Sequence, residues 1–358
     1  MDEVRSATHS VPYTEQPVRF TGTGGEYFRI WIVNLLLTIV TLGIYSAWAK
    51  VRRLQYFYRH TELAGSSFDF HGDPVRILIG RIVALVMLGV YKYTADVNPF
   101  LFLGVLAVIA AIMPWLLRNS LRFRLYNTSW RGTRFHFHGS VGGAYRVFLL
   151  NGFLTVITLY ILAPFAHQRL KAYQHGNSAF GRTPFSFSAR VGSFYLTYLL
   201  VVAGAVAFVV IGMLAGLGGA LGTLAGSKAG GNLDPKAVLT AVGIIWGIAL
   251  VVGLSIGPIF HAALTNLIWN NTQLGEHRIV STLSPWRLMW ITISNFVLVV
   301  ITIGFFRPWA MVRMVRLQAE AVTLYATSDL TEFVAAEPER IGAVGEEAAS
   351  FFDFDIAL

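Results

Sequence analysis

Cysteine is missing from this chain, and charge is scarce. Without a thiol there is no disulfide staple, no thiol nucleophile and no cysteine metal site. Only 13% of the residues are charged against 55% hydrophobic, too few to coat a soluble domain of 358 residues. The usual catalytic patterns are missing as well. There is no Gly-rich phosphate loop ending in Lys, no His-Glu-x2-His, no Gly-x-Ser-x-Gly and no pair of carboxylates inside an apolar run. The acidic residues sit mostly in the tails and linkers. These absences predict a protein that is not an enzyme and that carries no cofactor or bound metal.

What is abundant is apolar sequence. Runs lie near Phe28–Trp48, Val75–Tyr91, Phe100–Leu117, Ala144–Phe165, Phe194–Leu217, Ala237–Phe260 and Leu288–Phe306, and the mean hydropathy is +0.58. Most of these runs approach the ~20 residues that cross a ~30 Å hydrocarbon core as helix. Helices suit lipid because each satisfies its own backbone hydrogen bonds. The polar stretch Met1–Arg19 leads into the first run without a cleavage pattern, so no signal peptide is expected. The net charge of +9 reads as basic loops on one side of a membrane rather than as a nucleic-acid surface. The expected partners are therefore a lipid bilayer and its anionic phospholipids.

Three of the runs share one pattern. Asn34, Thr38, Thr41, Trp48 and Arg52 return 117 positions later as Asn151, Thr155, Thr158, Phe165 and Arg169. A further shift of 144 gives Asn295, Val299, Thr302, Trp309 and Arg313. Pro114 maps onto Pro258 at the second spacing. A second recurring element follows the runs: Thr61, Gly65, Phe68, Phe70-His71-Gly72 returns as Thr128, Gly132, Phe135, Phe137-His138-Gly139, with weaker copies near Gly181 and Gly275. Alternating phenylalanines after a glycine turn read as short strands. The fold class this predicts is an all-α polytopic membrane protein, with internally repeated transmembrane helices and short cytoplasmic β-strand elements. The predicted divisions are a polar N-terminal tail (1–24), a first membrane repeat (25–142), a second (143–284) with a Gly-rich insert at 211–236, a final half repeat (285–326) and an acidic C-terminal tail (327–358).

Charge argues about topology. If all seven runs crossed, the basic stretch around Arg118, Arg122, Arg124, Arg131 and Arg134 would face the opposite side from that around Arg169, Lys171, Arg182 and Arg190, against the positive-inside tendency. If the Asn/Thr runs instead enter and leave on one side, four crossings remain and every basic strand element shares one face. Two functions follow from the pattern. Asn34, Thr38, Thr41, Asn151, Thr155, Thr158, Asn295 and Thr302 either line a polar path, as in transporters built on repeats with broken helices, or hydrogen-bond between helices. The rival is a membrane-organising protein, with Arg52, Arg53, Arg122, Arg124, Arg169 and Arg313 on anionic headgroups. His136 and His138 share the Phe-x-Phe strand; facing water is the expected arrangement, since no third metal ligand lies nearby. Neither a substrate nor an oligomeric state is fixed by these residues.

The segment Trp31-Ile32-x-Asn34-Leu35-Leu36-Leu37-Thr38, Thr41-Leu42-Gly43-Ile44-Tyr45-Ser46, Trp48-Ala49 closely resembles the YjgN-like bacterial inner-membrane proteins. Tyr56-Phe57-Tyr58, Phe70-His71-Gly72 and the ending Phe352-Asp353-Phe354-Asp355-Ile356 fit as well. The resemblance implies a bacterial cytoplasmic membrane and supplies no site residues, because that family is of unknown function. In the tail, alternation at Phe351–Ile356 predicts an added strand on an open edge of the cytoplasmic layer.

Overall fold

The structure is a computed structural model and describes residues 13–226, 235–328 and 330. Its helices come in consecutive pairs, and after each pair the chain enters a short strand. The pairs are α1 (Gly24–Val40) with α2 (Ser46–Arg59), α3 (Pro74–Val97) with α4 (Pro99–Tyr126), and α5 (Val141–Ile157) with α6 (Ala163–Gly176). They continue with α7 (Val191–Gly226) and α8 (Pro235–Trp269), then α9 (Pro285–Ile301) and α10 (Arg307–Glu320). Two-residue turns join β3 (Thr61–Leu63) to β4 (Ser66–Phe70), β5 (Thr128–Trp130) to β6 (Thr133–Phe137), β7 (Ser178–Phe180) to β8 (Thr183–Phe187) and β9 (Thr272–Leu274) to β10 (His277–Ser281). Ala64-Gly65 and Arg131-Gly132 take positive φ at both positions, the geometry whose twist matches that of a hairpin.

The fifth pair has no hairpin of its own. Its strand β11 (Val322–Ala326) pairs antiparallel with β1 (Thr14–Pro17), and the next piece of the same segment, β2 (Arg19–Phe20), pairs with β3. The segment at the start of the chain thus acts as the missing second strand and joins both ends of the ladder. The eleven-stranded antiparallel sheet, in the order β1-β11-β10-β9-β8-β7-β6-β5-β4-β3-β2, closes on itself. The helices close too: each packs on the next along the chain, and α10 packs on α1. A ring of helices therefore carries a shallow crown of strands.

Equivalent bonds recur at all five joints. The carbonyls of His60, Asn127, Asn177, Asn271 and Ala321, each just past the second helix of a pair, accept from the backbone N–H groups of Thr21, His71, His138, Ser188 and Thr282. Beyond each of those strand exits the chain starts the next helix, capped by Thr23, Asp73, Ser140 or Ser284 in four of the five cases. The first turn of each such helix buries one side chain at the same place: Tyr27, Ile77, Ala144, Phe194 and Leu288, all 2% exposed or less. A proline sits at one common level as well. Pro164 and Pro308 open α6 and α10, where a missing N–H is tolerated, whereas Pro114 and Pro258 lie inside α4 and α8. The long pairs are short pairs continued beyond that proline.

One apolar cluster takes residues from strands round the ring, as a shared interior requires: Phe68 on β4, Trp130, Phe135, Phe180, Phe185, Leu274, Ile279 and Leu324 on β11. Leu330, past the last strand, is buried in the same cluster. These side chains pack the interior of the crown.

Several sequence expectations need correction. The all-α class fails, because the strands form one continuous closed ladder rather than separate decorations on helices. The added strand expected at Phe351–Ile356 lies outside the described residues. The Gly-rich insert continues α7 as helix to Gly226, and 227–234 lies outside the described residues. His136 does not face water: it is 4% exposed and meets Tyr126 edge-on.

The recurring Phe-x-Gly has a packing cause. A Cβ on Gly72 would stand 2.4 Å from the ring of Phe70, and one on Gly139 2.5 Å from Phe137. Each phenylalanine folds over the glycine two residues on. Where the large residue is second, as in Ser281 and Leu283, the first is small. Gly72→Ala should lower stability by ~1–3 kcal/mol through overpacking. The double change Phe70→Ser with Gly72→Leu copies the fifth joint and should cost less than the sum of its single changes. Thermal melts of the purified protein in detergent check both, and strict additivity would refute the shared-space account.

Candidate functional site

The sequence-chosen polar residues sit where each short pair turns back. Asn34, Asn151 and Asn295 are all buried in their helices. Asn295 donates to the Ala310 carbonyl at 3.1 Å and accepts from the Arg313 guanidinium at 2.8 Å, which also donates to Ser294. The side-chain oxygen of Asn34 is buried without a hydrogen-bond partner. Among the described residues no hydrogen bond joins one of these asparagines to another. The threonines are engaged with their own helices. Thr38 donates to the Asn34 carbonyl at 2.6 Å, Thr41 to Leu37 at 2.7 Å, Thr155 to Asn151 at 2.8 Å, Thr158 to Leu154 at 2.8 Å and Thr302 to Leu298 at 2.7 Å.

Those bonds belong to one turn built three times. At the first, Gly43 N–H reaches the Thr38 carbonyl and Leu42 N–H the Ile39 carbonyl, the crossed pair that seals a helix end. The turns at Leu159-Tyr160 and Ile303-Gly304 repeat both bonds. The Thr41 hydroxyl then accepts the Tyr45 N–H, as Thr302 does that of Phe306, so the second helix starts with its free donor satisfied. With the backbone closed on itself, the tips present large apolar side chains: Leu42 is 93% exposed, Leu159 84% and Ile303 89%. Such a tip is at home in hydrocarbon and costly in water.

The chosen arginines divide in three ways. Arg52 and Arg169 are exposed and lie over the rings of Tyr45 and Phe165, and Arg53 is exposed beside them. Arg313, at the equivalent place in the last pair, is turned inward onto Asn295. Arg122 and Arg124 are half-buried at the crown end of α4 and engaged within the protein. Sequence reasoning did not single out the polar side of α6. There Gln168 and Gln174 are buried with side-chain oxygens that lack partners, and His175 stacks on Phe187. The signal was available: the positions equivalent to His175 are Tyr58, Leu125, Trp269 and Ala319, none of them titratable in the neutral range. Among the described residues no group of three or more histidines and carboxylates could hold a metal ion.

A wide apolar surface completes the picture. Pro74–Val97 and Pro99–Tyr126 are long and apolar enough to cross a membrane. Leu85, Val86 and Phe100 stand exposed along them, as do Leu36, Ile39 and Val40 on α1. Contiguous apolar surface on this scale needs lipid rather than water. The class is therefore an integral membrane protein, with a ring of helices beneath a strand crown. The chain belongs to the family described as "Bacterial protein of unknown function (DUF898)", whose model matches residues 15–351. It is 25% identical to the inner membrane protein YjgN of Salmonella typhimurium, over 87% of this chain and 89% of that one. It is 32% identical to YjgN of Escherichia coli O157:H7 over 36% of this chain and 32% of that protein. No solved structure matches.

Three histidines of the crown and its helix ends prefer the neutral form. Burial lowers His136, with His138 and Arg134 adding repulsion. Burial takes His175 down to about 3, with Lys171 adding to the shift. Burial also lowers His277, against an opposing pull from Glu276. A base with a depressed folded pKa leaves the unfolded chain to take up protons first, so stability is kept above the ordinary histidine value of ~6.5 and lost below it. The melting midpoint in detergent should fall steadily from pH 7 to pH 4, and less in His175→Gln. A flat profile in the parent protein would contradict this.

Proposed function

We propose that this is a multi-pass protein of the bacterial inner membrane that seats a basic cytoplasmic crown on the anionic headgroup layer and organises the lipid around its helices. The observation that carries the reading is the geometry of departure and return: every helical pair leaves one closed strand ring and comes back to it, and that ring is filled with side chains. A ring lying on one side of the membrane requires an even number of crossings. The α3–α4 and α7–α8 pairs then cross, and the three short pairs dip from the crown side and turn at their apolar tips. Arg59, Arg131, Arg182 and Arg278 on the crown favour the cytoplasmic side. Trp286 and Trp290, exposed on the first turns of α9, suit the interface just beneath it. The names of the YjgN relatives agree with the location. The proposal includes no catalytic step.

A transporter or channel built on repeats is the second reading. Its support is the buried polar side of α6, where two glutamine oxygens have no protein partner. A wet path could satisfy them. Flux of small ions or polar solutes into proteoliposomes, lost on Gln174→Leu, would favour that reading over the first.

Single cysteines in this cysteine-free chain test the placement. Ser67→Cys and Ser186→Cys on the crown should label only from the cytoplasmic side. Asp96→Cys, at the far end of α3, should label only from the periplasmic side, and Leu42→Cys from neither. Labelling of Ser67→Cys and Ser186→Cys from opposite sides would end the proposal.

A further inference from the structure

The joints between successive pairs occupy equivalent places, and two of them are closed in different ways. Where α10 meets α1, Phe28 stacks on Trp309 with ring centroids 4.9 Å apart. Trp31 meets Phe305 edge-on beside them. Those rings close the joint. The equivalent residues where α4 meets α5 are Tyr145 and Trp115. Here Tyr145 turns its hydroxyl to the Ala111 carbonyl of α4, at 2.6 Å, and Trp115 remains 39% exposed.

The backbone differs at the same place. Residues Tyr145–Leu150 form a π-turn, with the Asn151 N–H reaching back to the Arg146 carbonyl. Such widened turns recur where helices carry function. Beside it lies an open crevice of about 570 Å³ lined by Tyr145, Arg146, Leu149, Leu150 and Phe153. That volume falls within the ~300–1,000 Å³ of ordinary ligand sites.

The lining is ordered by depth. Arg146 lies in the second turn of α5, the level at which α9 exposes Trp290, and its guanidinium has no partner among the described residues. Leu149, Leu150 and Phe153 continue away from the crown, to roughly 10 Å deeper at 1.5 Å per residue. A cation at headgroup depth above an apolar trough is the pattern of a phospholipid, with phosphate at one end and an acyl chain at the other.

We propose that the crevice along α5, beside the π-turn, is a binding site for one anionic phospholipid, its phosphate on Arg146 and an acyl chain along Leu149, Leu150 and Phe153. The proposal rests on the membrane placement given above and deepens it by naming a specific lipid site. Arg29 is the internal control. It occupies the equivalent place on α1, also exposed and also without a partner, beside a joint that Phe28 and Trp309 already fill.

Native mass spectrometry of the full chain, loaded with phosphatidylglycerol and released stepwise from detergent, reads the site directly. Arg146→Glu should weaken the most tightly retained phosphatidylglycerol about fivefold or more, the factor for ~1 kcal/mol per basic residue near a headgroup. Arg29→Glu should leave that lipid in place. Leu150→Trp, which fills the trough without changing charge, should displace it as Arg146→Glu does. If Arg146→Glu unfolds the protein, Arg146→Gln serves in its place, with a smaller loss expected. Equal losses from the two arginines, or retention of lipid in Leu150→Trp, would overturn the site. Cysteine labelling does not depend on lipid retention, so a failure here is distinguishable from a failure of the membrane placement.

Discussion

Closure of the strand ladder by Thr14–Phe20 is the constraint on which the rest depends. That segment contributes pairing to β11 on one side and to β3 on the other, and it ends in the Thr21 bond to the His60 carbonyl. Strands of two to five residues form no stable sheet by themselves, because so few backbone bonds cannot offset the entropy of ordering them. Joined in a ring, each of β3 to β11 has two neighbours, and the strands share one packed interior. The helices depend on the same closure. Their crown ends are fixed by the five carbonyl bonds, and their order round the ring follows from the order of the strands. Arg316 makes the dependence explicit by donating to the Gly22 carbonyl, across almost the whole length of the chain.

Much of the local structure was legible in the sequence. Helical runs announced themselves by apolar length, turns by glycine, and strands by the Phe-x-Phe alternation. The relation between Asn34, Asn151 and Asn295 marked three pairs that share a turn. The single underlying unit was harder to see because short and long pairs alternate, so the clearest spacings ran from one short pair to the next. Phe20-x-Gly22 belongs with Phe70-x-Gly72 and Phe137-x-Gly139, yet it lies before the first helix, and only the folded ring shows that it completes the last joint. Ser281 with Leu283 fills the same space with the sizes exchanged, and an exchange of that kind leaves no repeated letters to find. The buried state of His136 escaped for a related reason. On an open strand, alternate residues face water; on β6, backed by α4, three consecutive residues are covered.

The threonines show how one residue type can carry two readings until its partners are known. Thr38, Thr41, Thr155, Thr158 and Thr302 have the spacing of a polar stripe. Their hydroxyls are held by carbonyls one turn back, the usual arrangement for a hydroxyl in an apolar helix. At the tips, Thr41 and Thr302 also accept the N–H that would open the next helix, so a chain reversal carries almost no exposed backbone polarity. The asparagines are different, and Asn295 places its amide between the two helices of its pair. Asn295 is satisfied there by Arg313, whereas the equivalent Arg52 lies over Tyr45 and leaves the Asn34 oxygen unmet.

An odd number of pairs cannot alternate perfectly round a ring. Short and long follow one another along the chain, so the first and last pairs, both short, must stand side by side where the ends of the chain meet. The perimeter offered to lipid is therefore uneven. Along the α9–α10–α1–α2 flank the helices that lead away from the crown have 17 residues each, roughly 25 Å at 1.5 Å per residue, whereas α4 alone has 28, roughly 42 Å. Hydrocarbon adjusts its thickness to what it touches, at a fraction of a kcal/mol per ångström. With the crown on one face of the membrane as proposed, the bilayer would be thinned over the widest stretch along this flank, which gives the molecule a direction within the plane of the membrane.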